Sequence, residues 1–346
     1  MNRHPLIFAL LLLLLVLAVA KVLVITASVV LVIFAGLMFG ILLNRTACWL
    51  AGYAPIPYHG VYFIVVAALL ALSAAGVYYL GAQIAQQADE LSSQLRDAAQ
   101  QASERISQYE IVQRYSPDES EMQSMVTDQG GAAVLNMLQG VRSLAWTLTA
   151  LVVIFFVGLY AAYEPNLYRT GLVKLFPLQR RERVQQALDE LRGALSRWIT
   201  GRLMSMAVVG VLTAIGLGVL EVPLFLTLGV LAALLTFIPN FGPLLAMVPQ
   251  LLLALNVGPH TVWYVLGLNL ALQGIESYLI TPMIQRQEVA LPPILTIAAQ
   301  LLMGVWVGVI GVMMAAPLVV MAMVLIQLFY IRDRLGDPNP GELTSD

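Results

Sequence analysis

The feature that most limits what this chain can become is an interruption inside an apolar run. Residues 224–255 are almost wholly apolar, yet Thr236-Phe237-Ile238-Pro239-Asn240-Phe241-Gly242-Pro243 divides them. Neither half is long enough to cross a bilayer as a plain helix. The 15 residues 224–238 span about 22 Å at 1.5 Å per residue, and 244–255 is shorter. A hydrocarbon core of about 30 Å needs about 20 residues. Pro239 and Pro243 lack N–H donors, and Gly242 frees the backbone. The expectation is a segment that enters partway, turns at Pro239 to Pro243 and returns. Backbone of that kind survives at depth only beside protein or a water-filled cavity, so the turn is a candidate piece of a transport path. The competing expectation is one long helix kinked at the prolines.

That reading requires a membrane protein, and composition supplies one. Hydrophobic residues make up 60% of the 346, charged residues 11%, and mean hydropathy is +0.83. Such a chain is an all-α polytopic membrane protein, with about six to eight crossings. A net charge of −2 points to no nucleic-acid partner, and the one cysteine, Cys48, excludes an intrachain disulfide framework. His4, His59 and His260 are isolated. No phosphate-binding glycine loop, nucleophile elbow or metal-ligand spacing is visible, so the expectation is no cofactor and no enzyme.

In chain order, residues 1–81 read as N-terminal transmembrane helices. The apolar stretch 6–20 is read as a retained span, with a cleaved signal as the alternative; further spans cover 22–43 and 61–80. Residues 82–142 read as an extracytoplasmic helical segment. Ile84, Ala88, Leu91, Leu95, Ala98, Ala102, Ile106 and Tyr109 form a heptad-like stripe among polar neighbours. A span follows at 143–163. Residues 164–202 read as a cytoplasmic amphipathic segment, with Val184, Leu188, Leu191, Leu195 and Trp198 on one face, set against an anionic leaflet or under the bundle. Residues 203–331 read as a transport core of broken helices, and 332–346 as a cytoplasmic tail. Within the core, 294–331 is too long for one simple crossing. Gly304, Gly308 and Gly311 suggest a second hairpin there, with one long helix as the alternative.

Segment 82–142 carries Arg96, Arg105, Arg114 and Arg142 against nine acids from Asp89 to Asp128. Segment 164–202 carries eight Lys and Arg against four acids, which places it in the cytoplasm. Three spans before residue 82 would agree, and would put both termini inside.

Polar residues inside the apolar helices are the candidate site. Asn269, Gln273 and Glu276 follow at i, i+4 and i+7, with Ser277 beside them. A carboxylate in such a helix is a site for a proton, a sodium ion or a hydroxylated solute, unless it only joins helices. Asn240 at the hairpin tip and Gln300 in the second hairpin complete the set.

Several motifs together resemble a known family. Gly201-Arg202-Leu203, Val222-Pro223, Phe237-Ile238-Pro239-Asn240-Phe241-Gly242-Pro243 with Pro249, Glu276-Ser277-Tyr278-Leu279-Ile280-Thr281-Pro282 and Ala316-Pro317 are similar to the autoinducer-2 exporter family of bacterial membrane proteins. The resemblance implies an inner-membrane carrier, homo-oligomeric and pentameric, exporting a small polar solute such as the quorum-sensing signal autoinducer-2. The resemblance equally implies sodium or lithium/proton antiport as an alternative. The chain departs from the family pattern at Gln285-Arg286-Gln287-Glu288-Val289-Ala290-Leu291, which puts identical substrate handling in question. A passive channel of the same fold and a membrane assembly scaffold are the other readings.

Overall fold

The computed structural model describes residues 4–53, 56–76, 78, 93–94, 144–280 and 292–336. Expectations for 82–142, apart from 93–94, and for the departure at 285–291 lie outside the described residues. The chain is an all-α polytopic membrane protein. Among the described residues there are ten α-helices: α1 His4–Ala51, α2 Tyr58–Gly76, α3 Leu144–Tyr163, α4 Pro165–Lys174, α5 Arg181–Val219, α6 Phe225–Thr236, α7 Phe241–Val257, α8 Pro259–Ile275, α9 Pro293–Val307 and α10 Val309–Leu325. A π-helical turn extends α8 to Ile280, and another extends α10 to Arg332.

Four described helices are long and apolar enough to cross a membrane, or five if α3 is counted with the bent α4. Shorter apolar helices are α6, α7 and α9. The two spans expected at 6–20 and 22–43 are one helix instead. α1 has 48 residues, about 72 Å, and Lys21 does not interrupt it. A lone lysine costs little helix propensity, and no glycine or proline stands between the stretches. The parity argument therefore loses one crossing, and orientation rests on the Lys and Arg distribution alone. Basic and apolar stretches are likewise continuous in α5, whose 39 residues run without a break past Gly201.

The chain divides into two compact units. The first holds 1–62, 150–199 and 288–346. Within it α9 and α10 lie side by side, and α1 packs on both. In the apolar stripe of early α5, Val184, Leu195 and Trp198 are buried by protein, while Leu188 and Leu191 are half-buried. Arg183 reaches the C-terminal end of the unit, donating to both carboxylate oxygens of Asp333 at 2.9 and 2.6 Å and to the Leu328 carbonyl at 3.1 Å. Asn44, buried in α1, donates to the Tyr58 hydroxyl at 2.6 Å and accepts from Arg192. Tyr58 in turn donates to the Ala162 carbonyl at 2.6 Å.

The second unit holds 63–149 and 200–287. Its core is Leu217, Val222, Leu228, Leu253, Ala254 and Val265, which joins the end of α5 to α6, α7 and α8. Burying one such Leu or Val side chain contributes about 1.5–3 kcal/mol where water is the alternative. Inside a bilayer, close packing and internal hydrogen bonds carry more of the association.

Both interrupted runs fold back. In the first, α6 ends at Thr236 and α7 starts at Phe241, and the two helices pack together. α6 is about 18 Å long and α7 about 26 Å, from 12 and 17 residues. In the second, Gly308 turns the chain at φ +78° between α9 and α10. The alternative of one long helix over 294–331 is thereby excluded. This second pair is asymmetric: α9 has 15 residues, whereas Val309–Arg332 is long enough for a full crossing.

A polar cavity beneath the first hairpin

The turn between α6 and α7 is tighter than its prolines and glycine suggest. The Phe241 amide donates to the Pro239 carbonyl at 2.8 Å, across a single residue, and Asn240 sits at φ 66°, ψ −50°. That is the geometry of a γ-turn of the strained hand. A side chain in this region costs on the order of 1–3 kcal/mol, which the surrounding packing must hold in place. Asn240 is exposed and makes no capping hydrogen bond.

Gly242 and Pro243 are not in the turn. They form the first turn of α7, where a missing proline N–H costs no helical hydrogen bond. Gly242 matters through closeness: a β-carbon there would collide with the Leu235 carbonyl group of α6. Gly311 plays the same part in the second hairpin, against the Met303 carbonyl. Gly304 lies inside α9, so of the three glycines only Gly308 is the hinge.

Below the first hairpin, in the second unit, α5, α6, α7 and α8 converge on a small polar cavity of about 10 Å³, room for about one water molecule. Its polar lining comes from Thr213 of α5, Thr236 of α6, Gln250 of α7, and Asn269, Gln273 and Glu276 of α8. Thr213, Thr236 and Gln250 are at most 1% exposed. Asn269 donates to Gln250 Oε1 at 2.8 Å and to the Val265 carbonyl at 2.9 Å. The Thr236 hydroxyl is fully buried and has no hydrogen-bond partner among the described residues.

Glu276 is not a free carboxylate. Arg202 of α5 donates to its Oε1 at 3.1 Å, and the two side chains are 12% and 15% exposed. Through Nε, the same guanidinium donates to the Phe237 carbonyl at 3.2 Å. Phe237 is the residue that ends α6. One arginine therefore ties α5 to the hairpin tip and to α8. Two ions held this far from water are each desolvated at a cost of several kcal/mol, which only close pairing offsets.

Of the expected residues, the structure brings Asn269, Gln273 and Glu276 to the cavity. Ser277 is exposed and does not line it. Gln300 is buried at 1% exposure in α9, in the other unit. Arg202, Gln250, Thr213 and Thr236 were not among the expected site residues. Gln250 carried a readable signal, as the one amide in an otherwise apolar helix before Asn256. Among the described residues no group of three His, Cys, Asp or Glu comes together to hold a metal ion.

A family model described as AI-2E family transporter matches residues 7–331. YrrI of Bacillus subtilis, named as a transport protein, is 27% identical over 180 residues, 52% of this chain and 51% of its own. MT0215 of Mycobacterium tuberculosis, also named as a transport protein, is 30% identical over 179 residues, 50% of this chain and 47% of its own. YueF of Bacillus subtilis, with the same kind of name, is 22% identical over 185 residues, 53% and 50% of the two chains. The chain spans about half the length of the curated relatives it matches.

Proposed function

The chain belongs to the AI-2E transporter family, and from that premise we propose that it is a secondary transporter moving a small polar solute, such as autoinducer-2, outward across the inner membrane. The observation that carries this reading is the cavity. Thr213, Thr236, Gln250 and Asn269 offer hydroxyl and amide groups in a site otherwise walled by apolar helices. With room for only about one water in this conformation, such a lining suits a neutral hydrogen-bonding solute once the hairpin has moved, because a few placed polar groups among apolar walls fix orientation without net charge. Glu276 is the one acid in the lining, and Arg202 neutralises it.

Gradient coupling in this reading runs through that pair. A proton or a sodium ion on Glu276 competes directly with Arg202. Once displaced, the guanidinium no longer fastens the Phe237 carbonyl, and the strained tip at Asn240 is free to relax. The hairpin then moves relative to α5 and α8 and opens the cavity. In this account the hairpin is re-entrant, both termini and the basic 164–202 segment are cytoplasmic, and the chain works as a homo-oligomer. No enzymatic step is part of it.

The test is solute efflux from proteoliposomes loaded with autoinducer-2, under an imposed proton or sodium gradient. The proposal expects gradient-dependent efflux by the wild type and none by Glu276→Gln. Efflux by the variant equal to wild type refutes the coupling role. Sodium uptake driven by a proton gradient without any solute points to antiport instead.

A further inference from the structure

The chain makes a sharp elbow after α3, apart from the cavity and its hairpin. Leu148–Tyr163 is apolar enough to count toward a membrane span, and at Glu164 the chain turns so that α4 runs 85° from it. A helix perpendicular to a crossing helix lies along the membrane surface. Within α4 the one buried residue is Val173. Around it Leu167, Leu172, Leu175 and Leu178 are 61%, 49%, 78% and 77% exposed, and Phe176 is 44% exposed. An apolar patch of this density does not stay in water without a partner.

The charges beside the patch name that partner. Residues 164–182 hold Arg169, Lys174, Arg180 and Arg181 against Glu164 and Glu182. Arg169 is spoken for by Asp189 at 2.5 Å. Arg181 donates to the carbonyls of Phe176 at 3.1 Å and Lys174 at 3.4 Å, so it closes the turn while its charge meets no carboxylate among the described residues. Lys174 and Arg180 are exposed and make no ion pair among the described residues. Leucines interleaved with unpaired cations at a membrane surface match a leaflet with apolar chains below and anionic headgroups above.

We propose that residues 165–181 form a docking surface for anionic phospholipid, with Leu172, Leu175, Phe176 and Leu178 set into the acyl boundary and Lys174 and Arg180 on the headgroup phosphates. This places the leaflet contact at the elbow ahead of early α5, whose stripe residues Val184, Leu195 and Trp198 are buried by protein. A partner protein would meet the same exposed leucines, but the location at the end of an apolar span and the one-signed charge favour lipid.

The test uses the full chain in nanodiscs of phosphatidylcholine, with or without phosphatidylglycerol. A Cys48→Ser/Leu175→Cys protein carries an environment-sensitive fluorophore at position 175. The proposal expects blue-shifted emission, quenched by lipids spin-labelled near the headgroup. It also expects phosphatidylglycerol affinity, from retention counted by native mass spectrometry, to fall roughly thirtyfold in Lys174→Gln/Arg180→Gln, the combined surface attraction of two basic residues. Emission like that in water, or emission shielded from both water and spin-labelled lipid, overturns it; the latter means that protein covers the surface. Unchanged phosphatidylglycerol retention in the charge variant overturns it as well.

Discussion

Glu276→Gln is the substitution whose effect the structure fixes most closely. Arg202 and Glu276 are separated by 3.1 Å and are 12% and 15% exposed. At an effective dielectric of about 20, opposite unit charges at that distance attract by about 5 kcal/mol. Desolvation removes most of this from the net stability of the intact pair, but it remains when one partner is deleted. Breaking such a pair costs about 3–5 kcal/mol. Glutamine still accepts one hydrogen bond from the guanidinium, so Glu276→Gln belongs near the low end and Glu276→Leu near the high end. For a chain of 346 residues about 3 kcal/mol lowers Tm by roughly 4 °C. Arg202→Met should cost a similar amount, plus about 1 kcal/mol for the hydrogen bond lost to the Phe237 carbonyl. The double variant Arg202→Met/Glu276→Leu leaves no unpaired charge and should recover most of the loss. Thermal unfolding of the four proteins in one detergent gives the coupling. Single variants within about 1 kcal/mol of wild type, or a double equal to the sum of the singles, would refute the buried-pair reasoning.

Other perturbations follow from the same geometry. Gly242→Ala places a methyl group on the Leu235 carbonyl and should abolish stable expression, whereas Gly267→Ala, where nothing lies within 4 Å, should raise Tm slightly, by about 0.5–1 kcal/mol of helix propensity. Thr236→Val removes an unpartnered buried hydroxyl, so Tm should hold or rise while solute efflux falls; a fall in both would mean the hydroxyl has only a structural part. Asn240→Gly relieves a strained γ-turn and should stabilise the protein by about 1 kcal/mol in thermal unfolding, with gradient coupling weakened because less strain is released.

Much of this fold was legible because a membrane allows so few structures. A run of apolar residues too short to cross, broken by Pro239 and Pro243, has little choice but to turn back. The face of Asn269, Gln273 and Glu276 was readable for the same reason: three polar groups at helical spacing in an apolar helix must meet something. What they meet was not readable. Arg202 counts as one more cation in a basic segment, and only the uninterrupted course of α5 carries it inward to Glu276. Thr213 and Thr236 look like ordinary apolar-tolerant residues until four helices close around them. Helix continuity at the N-terminus is hidden by Lys21, which breaks the apolar run in sequence but carries no backbone penalty, so α1 passes through it. The γ-turn at Asn240 depends on dihedral angles that no residue pattern specifies.

The most direct test of the path beneath the hairpin is chemical. Thr236→Cys in a Cys48→Ser background puts one thiol at the fully buried position at the end of α6. Reconstituted and supplied with solute and an ion gradient, this thiol should react with a small charged methanethiosulfonate only during turnover, and the reaction should stop efflux. Sustained efflux with the thiol fully modified, or with the thiol never reached by reagent, would contradict the cavity as the route.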